Sequence, residues 1–118
     1  MPGPAYRILV VEDDPSSRRA LTLLLKLKGF DPSVASSLAE AMKLLETGPA
    51  WVLLDLMLPD GNGSAVLQHI RQNRLPIRVA ITSGSSNWES QLDSRTRPDA
   101  VFNKPLDFNR LLQWLTTA

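Results

Sequence analysis

The stretch WVLLDLMLPDGNG, Trp51 to Gly63, is apolar at five of its first six positions, and the exception is an acid, Asp55. Trp51 to Leu54 is the most apolar run in the chain. Short runs of this kind form strands buried on both faces, the signature of a parallel sheet covered by helices. Pro59 to Gly63 then reads as a loop, since proline, aspartate and glycine break regular structure. The stretch therefore places a carboxylate where a buried strand gives way to its loop.

Working outward, apolar runs and helical patterns alternate. Ile8 to Val11 is a second short strand. Asp14 followed by Pro15 reads as an N-cap and a helix-first proline. The helix they open places Leu21, Leu24 and Leu25 on one face and stops near Gly29. Phe30 to Ser36 is a weaker strand, suited to a sheet edge. Ser37 and Glu40 form a capping box, and Leu38, Ala41, Met42 and Leu45 follow helical spacing up to Gly48-Pro49. Beyond Gly63, a helix over Ser64 to Asn73 turns Val66, Leu67 and Ile70 inward. Ile77 to Ile81 is a strand with Arg78 as its one awkward member, and Thr82 to Asn87 is a polar loop. Trp88 to Arg95 is a poor helix, because only Trp88 and Leu92 share a face. Ala100 to Phe102 is a short strand. Asp107 caps a last helix striped by Phe108, Leu111, Leu112 and Leu115. Five strand-helix units predict an α/β domain: a doubly wound five-stranded parallel sheet with helices on both faces.

Composition narrows the function. With 118 residues, 43% of them hydrophobic and 21% charged, the chain suits a single domain, residues 1–118, with 1–5 as a flexible tail. The absence of cysteine excludes disulfides, thiolate metal sites and cysteine nucleophiles. A net charge of +1 argues neither for nor against nucleic-acid binding. No apolar run has the length of a membrane span and no signal peptide opens the chain, so a cytoplasmic protein is expected.

In open parallel sheets, ligands bind at the carboxyl ends of the strands. Glu12, Asp13 and Asp14 end the first strand, Asp55 the third, Thr82 and Ser83 the fourth, and Asn103, Lys104 and Pro105 the fifth. Asp14 alone is a helix cap. Taken together, these residues are a chemical set. Carboxylates gathered at one edge repel one another unless a cation joins them. All-oxygen donors without cysteine or a nearby histidine favour Mg²⁺. An acid beside such a metal can attack a phosphoryl group, while a lysine and a hydroxyl hold its oxygens.

ILVVEDDP (Ile8 to Pro15), LLDLMLPDGNG (Leu53 to Gly63), ITSG (Ile81 to Gly84) and FNKPLD (Phe102 to Asp107) occur in this order. Together they resemble the receiver domain of two-component response regulators, over nearly the whole chain from Arg7 to Leu115. The resemblance implies a flavodoxin-like strand order, 2-1-3-4-5, and a Mg²⁺ cofactor. It implies Asp55 as phospho-acceptor, Asp13 as direct metal ligand, Glu12 as its water-bridged neighbour and the Met57 carbonyl as backbone ligand. It makes Lys104 the partner of the acceptor and then of the phosphate, and places a cis peptide bond before Pro105. Thr82 and Ser83 compete for the switch hydroxyl, and spacing to Lys104 favours Thr82. The expected partners are a histidine kinase or phosphotransfer protein, and an effector domain or partner protein on the Ser85 to Ala118 face, with no direct nucleic-acid or membrane binding. The module would catalyse only its own phosphorylation and dephosphorylation, and so is not expected to be an enzyme in the usual sense.

Three departures from the family pattern stand out. Many receivers carry an aromatic residue three positions before the lysine; here that position is Val101, and the ring is one place later, at Phe102, on the opposite face of the strand. Met57 and Gly84 have no side chain that could orient an attacking water, which predicts slow self-dephosphorylation. The Ser85 to Pro98 segment is unusually polar. Two other functions compete. An interaction module without a phosphorylation switch fits Val101. An aspartate-nucleophile phosphohydrolase would need a second acid at Met57. His69 reads as a solvated helix residue rather than a phosphoryl carrier, and Arg95, Arg97 and Arg110 as a solvated face. Trp88, Phe108 and Trp114 are either core or a docking surface. A stand-alone receiver and a fragment of a larger regulator are equally compatible with this sequence.

Overall fold

The computed structural model describes residues 6–84, 92 and 96–117. A five-stranded sheet runs in the order β2-β1-β3-β6-β7, where β1 is Arg7–Val11, β2 Asp31–Ala35, β3 Trp51–Asp55, β6 Arg78–Ser83 and β7 Ala100–Asn103. Every pairing is parallel. This is the expected 2-1-3-4-5 order, with the two extra strand numbers taken by a small ribbon after β3. In that ribbon β4 (Met57–Leu58) pairs antiparallel with β5 (Gly61–Asn62), so a stretch expected to be plain loop is ordered as a hairpin whose tip is Pro59-Asp60.

Two apolar clusters divide the faces. Leu9, Val11, Val52, Leu54, Val79 and Ile81 pack with α2 (Leu38–Leu44) and α3 (Ser64–Gln72) on one side. Ile8, Val10, Leu53 and Ala80 pack with α1 (Pro15–Leu27) and α4 (Phe108–Thr116) on the other. Strand alternation produces this division directly, since successive side chains point to opposite faces. It also settles the last strand: Val101 joins the α2/α3 side and Phe102 the α1/α4 side. Each Leu or Ile that is fully buried contributes roughly 2 kcal/mol.

The caps form as the sequence predicts. Asp14 accepts the Ser17 N–H at 2.8 Å, and Pro15 occupies the first turn of α1. Asp107 accepts the Asn109 N–H at 3.0 Å to open α4. Ser37 accepts the Glu40 N–H at 3.2 Å, and Glu40 accepts the Ser36 N–H at 2.8 Å. In α1 the inward stripe is narrower than expected. Leu25 is buried and Leu21 half-buried, but Leu24 is 37% exposed. Leu21 and Leu25 are one near-complete turn apart, whereas Leu24 lies off that line and borders a groove between α1 and α4.

Thr82 and Ser83 are strand rather than loop, because they pair with Phe102 and Asn103 of β7. Arg78 also finds its place. Its guanidinium donates to the Thr117 carbonyl at 3.1 Å, beyond the end of α4, and stands 4.9 Å from the centroid of the Trp114 ring. Trp114 in turn meets Phe102 edge-on at 6.2 Å, so Trp114 and Leu115 both serve the α4 packing. The expected helix over Trp88 to Arg95, apart from Leu92, and the tail over residues 1–5 lie outside the described residues, as does the first part of the Ser85 to Ala118 face. Leu92 packs against the α2/α3 cluster.

Candidate functional site

The carboxyl ends of β1, β3, β6 and β7 converge on a small polar depression. The backbone turns there because each strand must leave the sheet for a helix, and the residues at those turns are the hydrophilic ones in otherwise apolar runs. Glu12 and Asp55 are buried, at 4% and 5% exposure, while Asp13 is exposed. One oxygen from each of Glu12, Asp13 and Asp55 falls within 4.8 Å of the others. Lys104, on the turn after β7, bridges the two buried acids: its Nζ donates to Asp55 Oδ2 at 3.0 Å and to Glu12 Oε1 at 3.1 Å. The next peptide bond, Lys104-Pro105, is cis, as the resemblance implies.

The electrostatics follow from this crowding. Burial, and then the neighbouring Asp55 carboxylate, push the Glu12 pKa above the usual carboxylate value, although the Asp14 N–H and Lys104 pull it back. Burial disfavours the Lys104 charge, but the hydrogen bonds to Asp55 and Glu12 outweigh it and leave the ammonium held above its ordinary pKa. Two buried carboxylates sharing a single ammonium keep a surplus of negative charge, and the exposed Asp13 stands beside them. The donors present are hard oxygens. This donor set fits a small divalent cation such as Mg²⁺ and fits zinc poorly.

The remaining candidates lie around this cluster. Asp55 and Thr82 are register partners on adjacent strands. Thr82 and Ser83 are both buried, and Thr82 faces a cavity of roughly 560 Å³ between α1 and α4, lined also by Leu21, Leu24, Lys104, Leu106 and Phe108. Ser83 is its neighbour on the opposite face of the strand. The Met57 N–H donates to Asp55 Oδ1 at 3.0 Å, which fixes the acid, while the Met57 side chain is 71% exposed. Gly84 is exposed, and among the described residues nothing lies within 4 Å of where its Cβ would be. His69 sits on α3, contacted by Asn73 at 3.3 Å.

Three residues complete the site that the sequence reading passed over. The guanidinium of Arg18 donates to the Glu12 carbonyl at 3.0 Å and to the Asp13 carbonyl at 3.4 Å, holding the acidic turn from beneath. Gly63 lies so close to Asp55 that a Cβ there would stand 2.2 Å from the Asp55 carbonyl oxygen. Asp60 accepts the N–H groups of Leu38 at 2.7 Å and Ala39 at 3.0 Å, tying the ribbon tip to α2. Gly63 and Asp60 belong to a stretch already marked as special, yet only the distant partner reveals either role. For Arg18 the sequence carries no comparable signal.

Comparison with known proteins identifies the family. The family model for the response regulator receiver domain matches residues 8–116. The DNA-binding response regulator MtrA of Mycolicibacterium smegmatis is 39% identical over 101 residues, covering 84% of this chain and 44% of MtrA. The acid tolerance regulatory protein ActR of Rhizobium meliloti is 34% identical over 86 residues, covering 72% of this chain and 44% of ActR. The chain thus spans less than half the length of these relatives. Among solved structures, the response regulator TrrA from Thermotoga maritima, in complex with Mg²⁺ and BeF, superposes with a TM-score of 0.82 at 29% identity, covering 92% of this chain and 95% of that one. The signal receiver domain of a Luxo repressor protein from Vibrio parahaemolyticus gives the same score and identity, covering 92% and 85%. Strand order, lysine-bridged acidic cluster and family match coincide over the same residues, and the chain belongs to the response regulator receiver domain family of two-component signal transduction.

Proposed function

We propose that Asp55 accepts a phosphoryl group from the phosphohistidine of a histidine kinase or phosphotransfer protein. A carboxylate oxygen of Asp55 bonds to phosphorus as the nitrogen–phosphorus bond of the donor breaks, and the electron pair leaves with the imidazole. Glu12, Asp13, Asp55 and the Met57 carbonyl would hold Mg²⁺, which supplies charge neutralisation for the phosphoryl oxygens. Lys104 keeps Asp55 oriented before transfer and pairs with the phosphoryl group after it. Thr82, whose register partner is Asp55, offers its hydroxyl to the same group.

The observation that carries this reading is the Lys104 bridge to the two buried acids. A buried carboxylate held by a single lysine, beside an exposed acid, is poised to exchange part of that pairing for a metal and a phosphate. The TrrA complex with Mg²⁺ and BeF supports the choice of ligand. The phosphohydrolase alternative lacks its acid, since Met57 is apolar and directed to solvent.

The product is a conformation, so the domain acts as a signalling module whose chemistry is confined to its own phosphorylation and dephosphorylation. An effector domain or partner protein would read it on the Ser85 to Ala118 face. Nucleic-acid binding, as in the name of MtrA, would belong to parts of a regulator beyond the matched region. No helix among the described residues is long and apolar enough to cross a membrane, and we place the domain in the cytoplasm with its kinase. The test is intact-protein mass after incubation with Mg²⁺ and a small acyl-phosphate donor. One phosphoryl group is expected, lost in Asp55→Asn and without Mg²⁺. Failure of both the acyl phosphate and beryllofluoride to bind would refute the proposal in favour of an interaction module without a switch.

A further inference from the structure

We infer that Asp60 is a positioning residue for this chemistry: it latches the β4-β5 ribbon to α2 and so fixes Met57 against Asp55. The inference rests on the Mg²⁺-dependent reading above. Asp60 sits at the ribbon tip, and each of its carboxylate oxygens is committed to α2, Oδ1 to the Leu38 N–H at 2.7 Å and Oδ2 to the Ala39 N–H at 3.0 Å. The tip is also seated sterically, since a Cβ on Gly61 would lie 3.1 Å from Leu38 Cδ2.

These bonds take the two N–H groups of the first turn of α2, Leu38 and Ala39, that the Ser37 hydroxyl does not reach. The helix also has its local cap, in which Ser37 accepts the Glu40 N–H and Glu40 accepts from Ser36, one residue before the N-cap. Asp60 completes that cap from 22 residues away, so the same two bonds that finish the helix also tie the ribbon tip to it. The two N–H donors lower the acid's pKa from its ordinary carboxylate value.

The consequence falls on the acidic cluster. At its base the ribbon is fixed by the Gly63 N–H to the Leu56 carbonyl at 2.8 Å and by the Met57 N–H to Asp55 Oδ1 at 3.0 Å. At its tip it is fixed through Asp60. Releasing the tip lets β4 swing, which loosens the Met57 N–H from the acceptor and moves the Met57 carbonyl proposed as a metal ligand. Residues that orient ligands in this way set metal affinity without touching the metal.

The test is Mg²⁺ titration by calorimetry, with thermal melting, of wild type, Asp60→Ala, Asp60→Asn and Ser37→Ala. Asp60→Ala should raise the Mg²⁺ Kd about ten-fold. Asp60→Asn, which keeps one acceptor oxygen and the side-chain volume, should fold as wild type and give an intermediate Kd. Phosphorylation of both should recover at saturating Mg²⁺, as expected of a residue acting through ligand placement. Ser37→Ala should lower the melting temperature while leaving the Kd unchanged. An unchanged Kd in Asp60→Ala, or a rise in Ser37→Ala as large as in Asp60→Ala, overturns the inference and leaves the proposed function standing. No Mg²⁺ binding by wild type overturns both.

Discussion

Gly63→Ala separates backbone freedom from close approach as the reason for a glycine. Gly63 has φ −60 and ψ −17, an ordinary right-handed conformation open to any residue. By conformational entropy alone, alanine at such a site stabilises by about 0.5 kcal/mol. The packing says the opposite. The new Cβ would stand 2.2 Å from the Asp55 carbonyl oxygen, 3.2 Å from its carbonyl carbon and 3.1 Å from Leu54 Cδ1. A comfortable carbon–oxygen separation is about 3.3 Å, so roughly 1 Å of backbone movement is required. Neither side yields easily: Asp55 is the last residue of a central strand, and the Gly63 N–H is bonded to the Leu56 carbonyl at 2.8 Å. Overpacking of this kind costs about 1–3 kcal/mol, and a backbone obstacle puts the cost near the upper limit. For a domain of this size that is a melting-temperature loss of about 10 °C. The same movement displaces the acceptor, and a misplacement of about 1 Å can slow a positioned reaction on the order of a hundred-fold. Differential scanning calorimetry gives the first quantity, and the rate of acyl-phosphate labelling read by intact mass gives the second. A variant that melts at or above wild type and labels at the wild-type rate would refute the close-approach argument.

Two further outcomes follow from named side chains. Met57 and Gly84 offer no group to orient water, so phosphorylated protein should persist far beyond seconds with Mg²⁺ present, and Met57→Asn should shorten its lifetime on the order of ten-fold or more; a wild-type lifetime of seconds, followed by loss of the mass adduct, would contradict this. Glu40 is held below its ordinary value of 4.5 chiefly by its hydrogen bonds from Ser36. The native state therefore binds fewer protons than the unfolded chain between the lowered folded value and 4.5, and this stabilisation, present above 4.5, is lost as pH falls through the folded value. The melting-temperature gap between wild type and Glu40→Gln should narrow in acid, and a gap that is constant with pH would show that the carboxylate charge contributes nothing.

What was legible in the sequence is what strand periodicity and strand-end chemistry dictate. Glu12, Asp13, Asp55, Thr82 and Lys104 terminate apolar runs, and a parallel sheet brings such ends to one edge whatever the details of packing. The opposed faces of Val101 and Phe102 follow from the two-residue repeat alone and hold in the structure. Thr82 and Ser83 were harder to place. Their polarity reads as loop, yet the last residues of β7 offer backbone partners that extend the strand, and polarity carries no information about a partner lying some 20 residues away. Leu24 failed for a related reason: a helical wheel gives the direction of a side chain but not the distance to the neighbouring helix, and between α1 and α4 that distance leaves a groove.

The residues that hold the acidic cluster in place were the least legible, for a physical reason. Arg18 acts on two carbonyl oxygens, which every residue possesses, so its target leaves no mark in the sequence. Gly63 acts through the volume it does not fill beside Asp55. Asp60 acts on two helix N–H groups that belong to the backbone of Leu38 and Ala39. In each case a side chain, or the lack of one, answers to main-chain atoms elsewhere. The acids and the lysine act on one another through charge, which their identities announce. A sequence can therefore disclose the chemistry of such a site before it discloses the scaffold that aims it. At this sheet edge the aim depends on the short ribbon between Asp55 and Gly63, the same stretch whose apolar run and lone acid first mark the fold.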